Sequence, residues 1–161
     1  MTKALLAIHV LAAIITIGPM TVAASMFPAA TRSALAAPRA DRDLATLRVL
    51  HRICRVYAVI GIVVPVFGLA TAGSLHVLGN AWLITSIVLT VLAAAVLVLV
   101  IQPQQDRILA GLGASSADAG SVGSVDSGLP ARLAIYTGMF NLLWVAVTVL
   151  MIVRPGSTTG A

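Results

Sequence analysis

Four stretches of this chain, 4–27, 56–74, 81–101 and 133–153, carry no charged side chain. A hydrocarbon core about 30 Å thick takes about 20 helical residues to cross, the length of each run. Inside that core the backbone has no water to bond, so each run must pair its own N–H and C=O groups as a helix. Barrel strands would alternate apolar and polar residues over about ten positions, and these runs do not alternate. The expected fold is all-α, an integral membrane four-helix bundle. Composition closes off the rivals. Of 161 residues, 60% are apolar and 9% charged, where a soluble domain is about 25% charged. One small water-soluble core could not bury that excess. The single cysteine, Cys54, excludes an internal disulfide and a cysteine zinc cluster.

The placement of charge decides what the net +5 means. A basic chain can be a nucleic-acid binder. Here, however, Arg32, Arg39, Arg42, Arg48, Arg52 and Arg55 all fall between the first two runs. That pattern points to a cytoplasmic loop beside anionic lipid headgroups and to no nucleic acid. With Arg107 and Arg132, one side of the membrane holds eight basic residues, against Lys3 and Arg154 on the other. Both termini are therefore expected on the non-cytoplasmic side, together with the hairpin at 75–80. Tyr57 and Tyr136 would sit near the inner boundary and Trp82 near the outer one. All five acids are aspartates, and none lies within a run, so no buried carboxylate offers a proton path.

The connections differ in kind. Residues 28–55 read as a basic cytoplasmic loop in which Pro28 and Pro38 interrupt helix. Asp41 or Asp43 could then cap a short amphipathic helix lying on the membrane surface. Leu44, Leu47, Leu50 and Cys54 would form its apolar face, with Arg48, Arg52 and Arg55 on another side. Residues 103–132 begin at Pro103 and include a Ser/Ala/Gly tract without periodicity, which predicts a flexible cytoplasmic loop. The tail after Pro155 is expected to be disordered. Val22-Ala23-Ala24 before Ser25 resembles a cleavage site, but Pro19 and the downstream arginines argue against a removable leader.

Few residues could carry chemistry. His9 is the polar exception in the first run, about five residues or about 8 Å below the outer edge. Intramembrane polar residues are costly and face the bundle interior. His9, Ala13, Thr16, Met20 and Ala23 share one small, slightly polar face. His9 is either a haem or copper ligand or a neutral histidine bonded to a neighbouring helix. His76 lies on the same expected side and could supply a second ligand, with Met151 nearby. His51, among arginines, reads as facing headgroups. Thr137, Asn141, Trp144 and Thr148 recur at helical spacing in the fourth run. Asn141 needs a partner, for which Thr85, Ser86 and Thr90 are the candidates; Thr16, Thr137, Asn141 and Thr148 are packing or pore-lining residues. Pro19 and Pro65 bend their helices, and Gly61, Gly68 and Ala72 permit close approach. No phosphate loop, nucleophile triad or carboxylate pair appears.

The run Leu5-Leu6-Ala7-Ile8-His9-Val10-Leu11-Ala12-Ala13-Ile14 resembles the first helix of a bacterial family of predicted four-helix integral membrane proteins of unknown function. Gly18-Pro19, Pro103-Gln104-Gln105-Asp106-Arg107 and Arg154-Pro155-Gly156 fit the same pattern. The resemblance implies a multi-pass protein of the bacterial cytoplasmic membrane. More distantly, an early-helix histidine followed by small residues is similar to copper-resistance-D-type membrane domains and to the membrane-bound protoporphyrinogen oxidases. In the latter such a histidine is associated with haem; only His9 matches, and the charged and aromatic signature of those oxidases is missing. The expectation is a small polytopic membrane protein of structural or accessory role, more a non-enzyme than an enzyme. The alternatives are a haem- or copper-binding protein using His9 and a small-solute or ion conduit. A homo-oligomer or a membrane-protein partner stays open.

Overall fold

The computed structural model describes residues 2–36, 40–117 and 128–155. Pro38, the 118–127 part of the Ser/Ala/Gly tract and the tail from 156 lie outside the described residues. The described residues are helical and contain no strand. The helices are α1 (Thr2–Ala36), α2 (Ala40–Ile60), α3 (Val63–Ser74), α4 (Ala81–Ala95), α5 (Gln102–Ala117) and α6 (Leu129–Val153), with a π-helical turn at Val96–Ile101 joining α4 to α5. Four rods are long and apolar enough to cross a membrane: Lys3–Ala36, Arg42–Ser74, Ala81–Gly113 and Leu129–Val153.

Two of these rods, the first and the third, are longer than the apolar runs because proline fails to stop them. Pro19 and Pro28 both lie inside α1. The first run therefore does not end at Pro28; helix continues to Ala36. Packed neighbours and small local adjustments make proline tolerable in membrane helices. Pro28 is buried in this way. Pro103 likewise sits near the start of α5, where a loop was expected to begin. Its ring would press on the carbonyl four residues back. The preceding turn widens instead: the Gln102 N–H reaches back five residues to the Leu97 carbonyl, and helix resumes through Ala117. Only at Pro65 does a rod break. Residues 61–62 form a turn between α2 and α3, and the Gly61 carbonyl accepts from the Val64 N–H at 3.1 Å.

The exterior is apolar and the interior partly polar. Leu11, Leu99, Ile135 and Leu142 face outward, while His9, Thr16, Thr31, Thr71, Ser86, Gln105 and Thr137 are buried. That inversion suits lipid contact. Buried hydroxyls find acceptors on their own helices: Thr31 donates to the Phe27 carbonyl, Thr71 to Phe67 and Ser86 to Trp82.

The main core lies in the half of the bundle where the arginines gather. Ala23, Ala24 and Phe27 of α1 meet Leu47, Leu50 and Cys54 of α2, Ile108 of α5, and Leu133 and Phe140 of α6. The apolar face of α2, including Leu44, is thus covered by other helices and not by a membrane surface. The opposite half is looser. There α3 packs on α1, α4 packs on α6, and α3 and α4 make little contact with each other. A small cluster of Ala72, Trp82 and Leu83 packs at the hairpin end.

Candidate functional site

The gap between the α1–α3 pair and the α4–α6 pair is a cavity of about 1210 Å³. Its walls are mostly aliphatic, with His9, Thr71, Thr90, Thr148, Trp82 and Arg154 as the polar or amphipathic exceptions. Drug-sized ligands occupy pockets of about 300–1,000 Å³, so this cleft is of lipid scale.

His9 enters the cleft from α1 and is 8% exposed. Its Nδ1 lies 2.9 Å from the Val64 carbonyl on α3. A carbonyl can only accept, so Nδ1 carries a proton, and in the neutral ring Nε2 then presents a lone pair. The ring lies directly over Gly68: a Cβ there would stand 2.9 Å from His9 Cε1. Glycine at 68 is what lets the imidazole fit. Thr16, two turns further along α1, is buried, and its methyl group would be 3.4 Å from a Cβ at Gly61. The small residues of the second rod thus admit the polar face of the first.

His76 behaves differently. It stands in the hairpin at φ 57° with its side chain exposed, and it is not part of the cleft wall. Met151 does line the cleft. Among the described residues, no three His, Cys, Asp or Glu side chains come together as a metal site. Copper prefers several nitrogen or sulfur ligands, and of those the cleft wall offers His9 and Met151. A single imidazole with a fixed tautomer does meet the minimum for axial haem ligation.

Arg154 stands at the mouth. It ends α6 in the left-handed conformation, φ 45°, with its N–H donating to the Leu150 carbonyl at 3.0 Å. Its Nε donates to the Met151 carbonyl at 3.3 Å, and the guanidinium carbon lies 5.7 Å from the centre of the Trp82 ring. Trp144 also lines the cleft. The indole N–H groups of both tryptophans are buried without a partner among the described residues.

Asn141 lies elsewhere than expected. Its Nδ2 donates to Ser25 Oγ on α1 at 3.0 Å, in place of a hydroxyl on the third rod. With Ser25 and Thr148 it lines a separate, open groove of about 590 Å³. The Thr148 hydroxyl donates to the Trp144 carbonyl. Thr137 is buried, and its Oγ has no partner among the described residues.

A second polar cluster was not anticipated. His51 does not face headgroups; it ties α2 to α5. Its Nδ1 lies 3.0 Å from Gln105 Oε1 and its Nε2 lies 3.1 Å from Asp106 Oδ1. Fully buried Gln105 in turn donates to Cys54 Sγ at 3.7 Å. The Gln-Gln-Asp stretch was readable as a motif, but without the register of α5 against α2 its partners were not.

No curated protein and no solved structure matches the chain. One family model, described as a predicted integral membrane protein, matches residues 3–155. Four apolar rods, an outward-facing apolar surface and that match agree: the chain is an integral membrane protein in contact with the lipid bilayer, and it belongs to the family DUF2269.

Proposed function

We propose that this protein is a non-catalytic membrane protein of accessory role that retains a membrane-soluble molecule in the cleft between α3 and α4. The observation that carries this reading is the cleft itself, lipid-sized, apolar and bordered by a few fixed polar groups. Ligand sites combine those two properties, a large apolar wall and a small number of orienting groups. The test is extraction of bound molecules from gently purified protein, read by mass spectrometry. Wild type is expected to carry one class of hydrophobic molecule in stoichiometric amount. Ala13→Phe, which fills the cleft from α1, is expected to lose it. Equal retention by both proteins would reject the reading.

A second reading, haem held by His9, is favoured by one observation: the Val64 carbonyl fixes the tautomer that leaves Nε2 unprotonated. Purified protein would then show a Soret band that disappears in His9→Ala. Protein colourless after expression with added haem would dismiss this reading.

We propose further that the protein lies in the bacterial cytoplasmic membrane with both termini outside the cytoplasm. The excess of arginine at the opposite end supports this orientation. Anionic headgroups would gather at that basic end.

A further inference from the structure

We infer that the molecule held in the cleft is an anionic amphiphile, its hydrocarbon chain between the helix pairs and its acidic head group on Arg154. The inference rests on the reading of the cleft as a binding site and adds the chemistry of the ligand.

The argument starts from the charge at the mouth. Arg154 lines the cleft, yet among the described residues no carboxylate lies within ion-pair distance of it. The contact of His51 with Asp106 joins α2 to α5 in the other half of the bundle. A partly buried cation beside an apolar cavity favours an anion in reach. The side chain is also held in place. Nε is tied to the Met151 carbonyl and the guanidinium plane sits by Trp82, which leaves the terminal nitrogens for a ligand. A guanidinium presents those nitrogens as a fork that suits carboxylate or phosphate oxygens. The backbone adds a further sign. Position 154 has the left-handed conformation that glycine or asparagine adopts most readily at a helix end, and arginine occupies it instead.

Below the mouth the lining turns aliphatic: Ile14 and Ile17 on α1, Leu69 on α3, Ile87 and Val91 on α4. Thr90 lines the same wall, and its hydroxyl proton is used on the Ser86 carbonyl. A hydrocarbon chain meets such a wall at no polar cost. The carboxylate of a fatty acid and the phosphate of a phospholipid share the required head-group chemistry.

The chain supplies its own reporter, because both of its tryptophans, Trp82 and Trp144, line the cleft. The full-length protein is reconstituted in phosphatidylcholine vesicles containing a chain-brominated fatty acid, phosphatidylglycerol or phosphatidylcholine, and tryptophan quenching is measured. At least one anionic probe is expected to half-quench at a mole fraction about three-fold lower than brominated phosphatidylcholine, the size of one solvent-accessible ion pair. Whichever anionic probe acts at the lower fraction identifies the source. Arg154→Asn, which keeps a residue suited to the left-handed backbone, should bring the anionic and zwitterionic probes together. Arg154→Lys should preserve the difference. Equal quenching by all three probes in wild type, or an unchanged preference in Arg154→Asn, overturns the inference. If Ala13→Phe leaves quenching by every probe unchanged, the binding-site reading fails with it. If Ala13→Phe reduces quenching while Arg154→Asn keeps the preference, only the head-group assignment fails.

Discussion

At the scale of single residues, a histidine inside an apolar helix must be matched on its neighbour, and here the match is a missing side chain. His9 occupies the space that a Cβ at position 68 would fill, 2.9 Å from Cε1. Gly68→Ala is therefore expected to push the ring off Val64 and destabilise the bundle by about 1–3 kcal/mol, the usual cost of overpacking. Gly73→Ala is the control, since a Cβ there meets nothing within 4 Å. It should be neutral or stabilising by up to about 1 kcal/mol, the helix preference of alanine over glycine. Thermal midpoints in one detergent check both, and equal shifts would mean that His9 moves aside freely. Asn141 allows a second prediction. Its bond to Ser25 should contribute about 0.6 kcal/mol, the average for such bonds between membrane helices. A double-mutant cycle of Asn141→Leu and Ser25→Ala measures it, and a coupling near zero would reject the pairing. His9 stood out in the sequence because a polar residue in an apolar run is visible without a structure. Its partners did not, because the register of α1 against α3 is written in no local spacing. Asn141 shows the same limit: its need for a partner was readable, but α1 and not the third rod supplies it.

At the scale of elements, the four apolar rods were legible because lipid leaves a charge-free run little choice but helix. The extensions of the first and third rods were not, because polar residues and prolines there read as loop, whereas the apolar spacing of α2 already marked it as helix. The extensions hold as helices because they pack on one another. α2 covers α1 and α5, and the His51–Gln105–Cys54 contacts join α2 to α5. Gln105→Ala removes the central member and leaves half-buried His51 and buried Cys54 without the group that joins them. The expected cost is about 1–3 kcal/mol, that of unsatisfied buried polar groups. Asp106 is 64% exposed on its side chain. Asp106→Ala should accordingly cost no more than about 1 kcal/mol, as for other exposed ion pairs. Cys54 is a direct reporter, being fully buried and unpaired in the wild type. Maleimide labelling of Cys54 should be slow in wild type and in Asp106→Ala and faster in Gln105→Ala. Equal labelling in all three would show that Gln105 does not hold the two helices together.

At the scale of the whole molecule, helix length and charge make one argument. α1 has 35 residues, which at 1.5 Å each reach about 52 Å, whereas the hydrocarbon core is about 30 Å thick. The hairpin end is short: α3 ends at Ser74 and α4 begins at Ala81. The surplus length therefore projects at the opposite end, where α1, α2 and α5 carry Arg32, Arg42, Arg48, Arg52, Arg55 and Arg107. Keeping those guanidinium groups in water while the apolar runs stay in lipid allows one depth for the bundle. The bias of basic residues toward the cytoplasm supports the proposed orientation. Two exposed positions test it, Arg48 on the extension and Leu78 in the hairpin. Native Cys54 is buried, so its background labelling should be low. A membrane-impermeant maleimide added to intact cells should label Leu78→Cys at once. It should label Arg48→Cys only after the membrane is opened. The reverse pattern would turn the protein over, placing the cleft mouth and Arg154 on the cytoplasmic side, where an anionic amphiphile would have to enter from the inner leaflet.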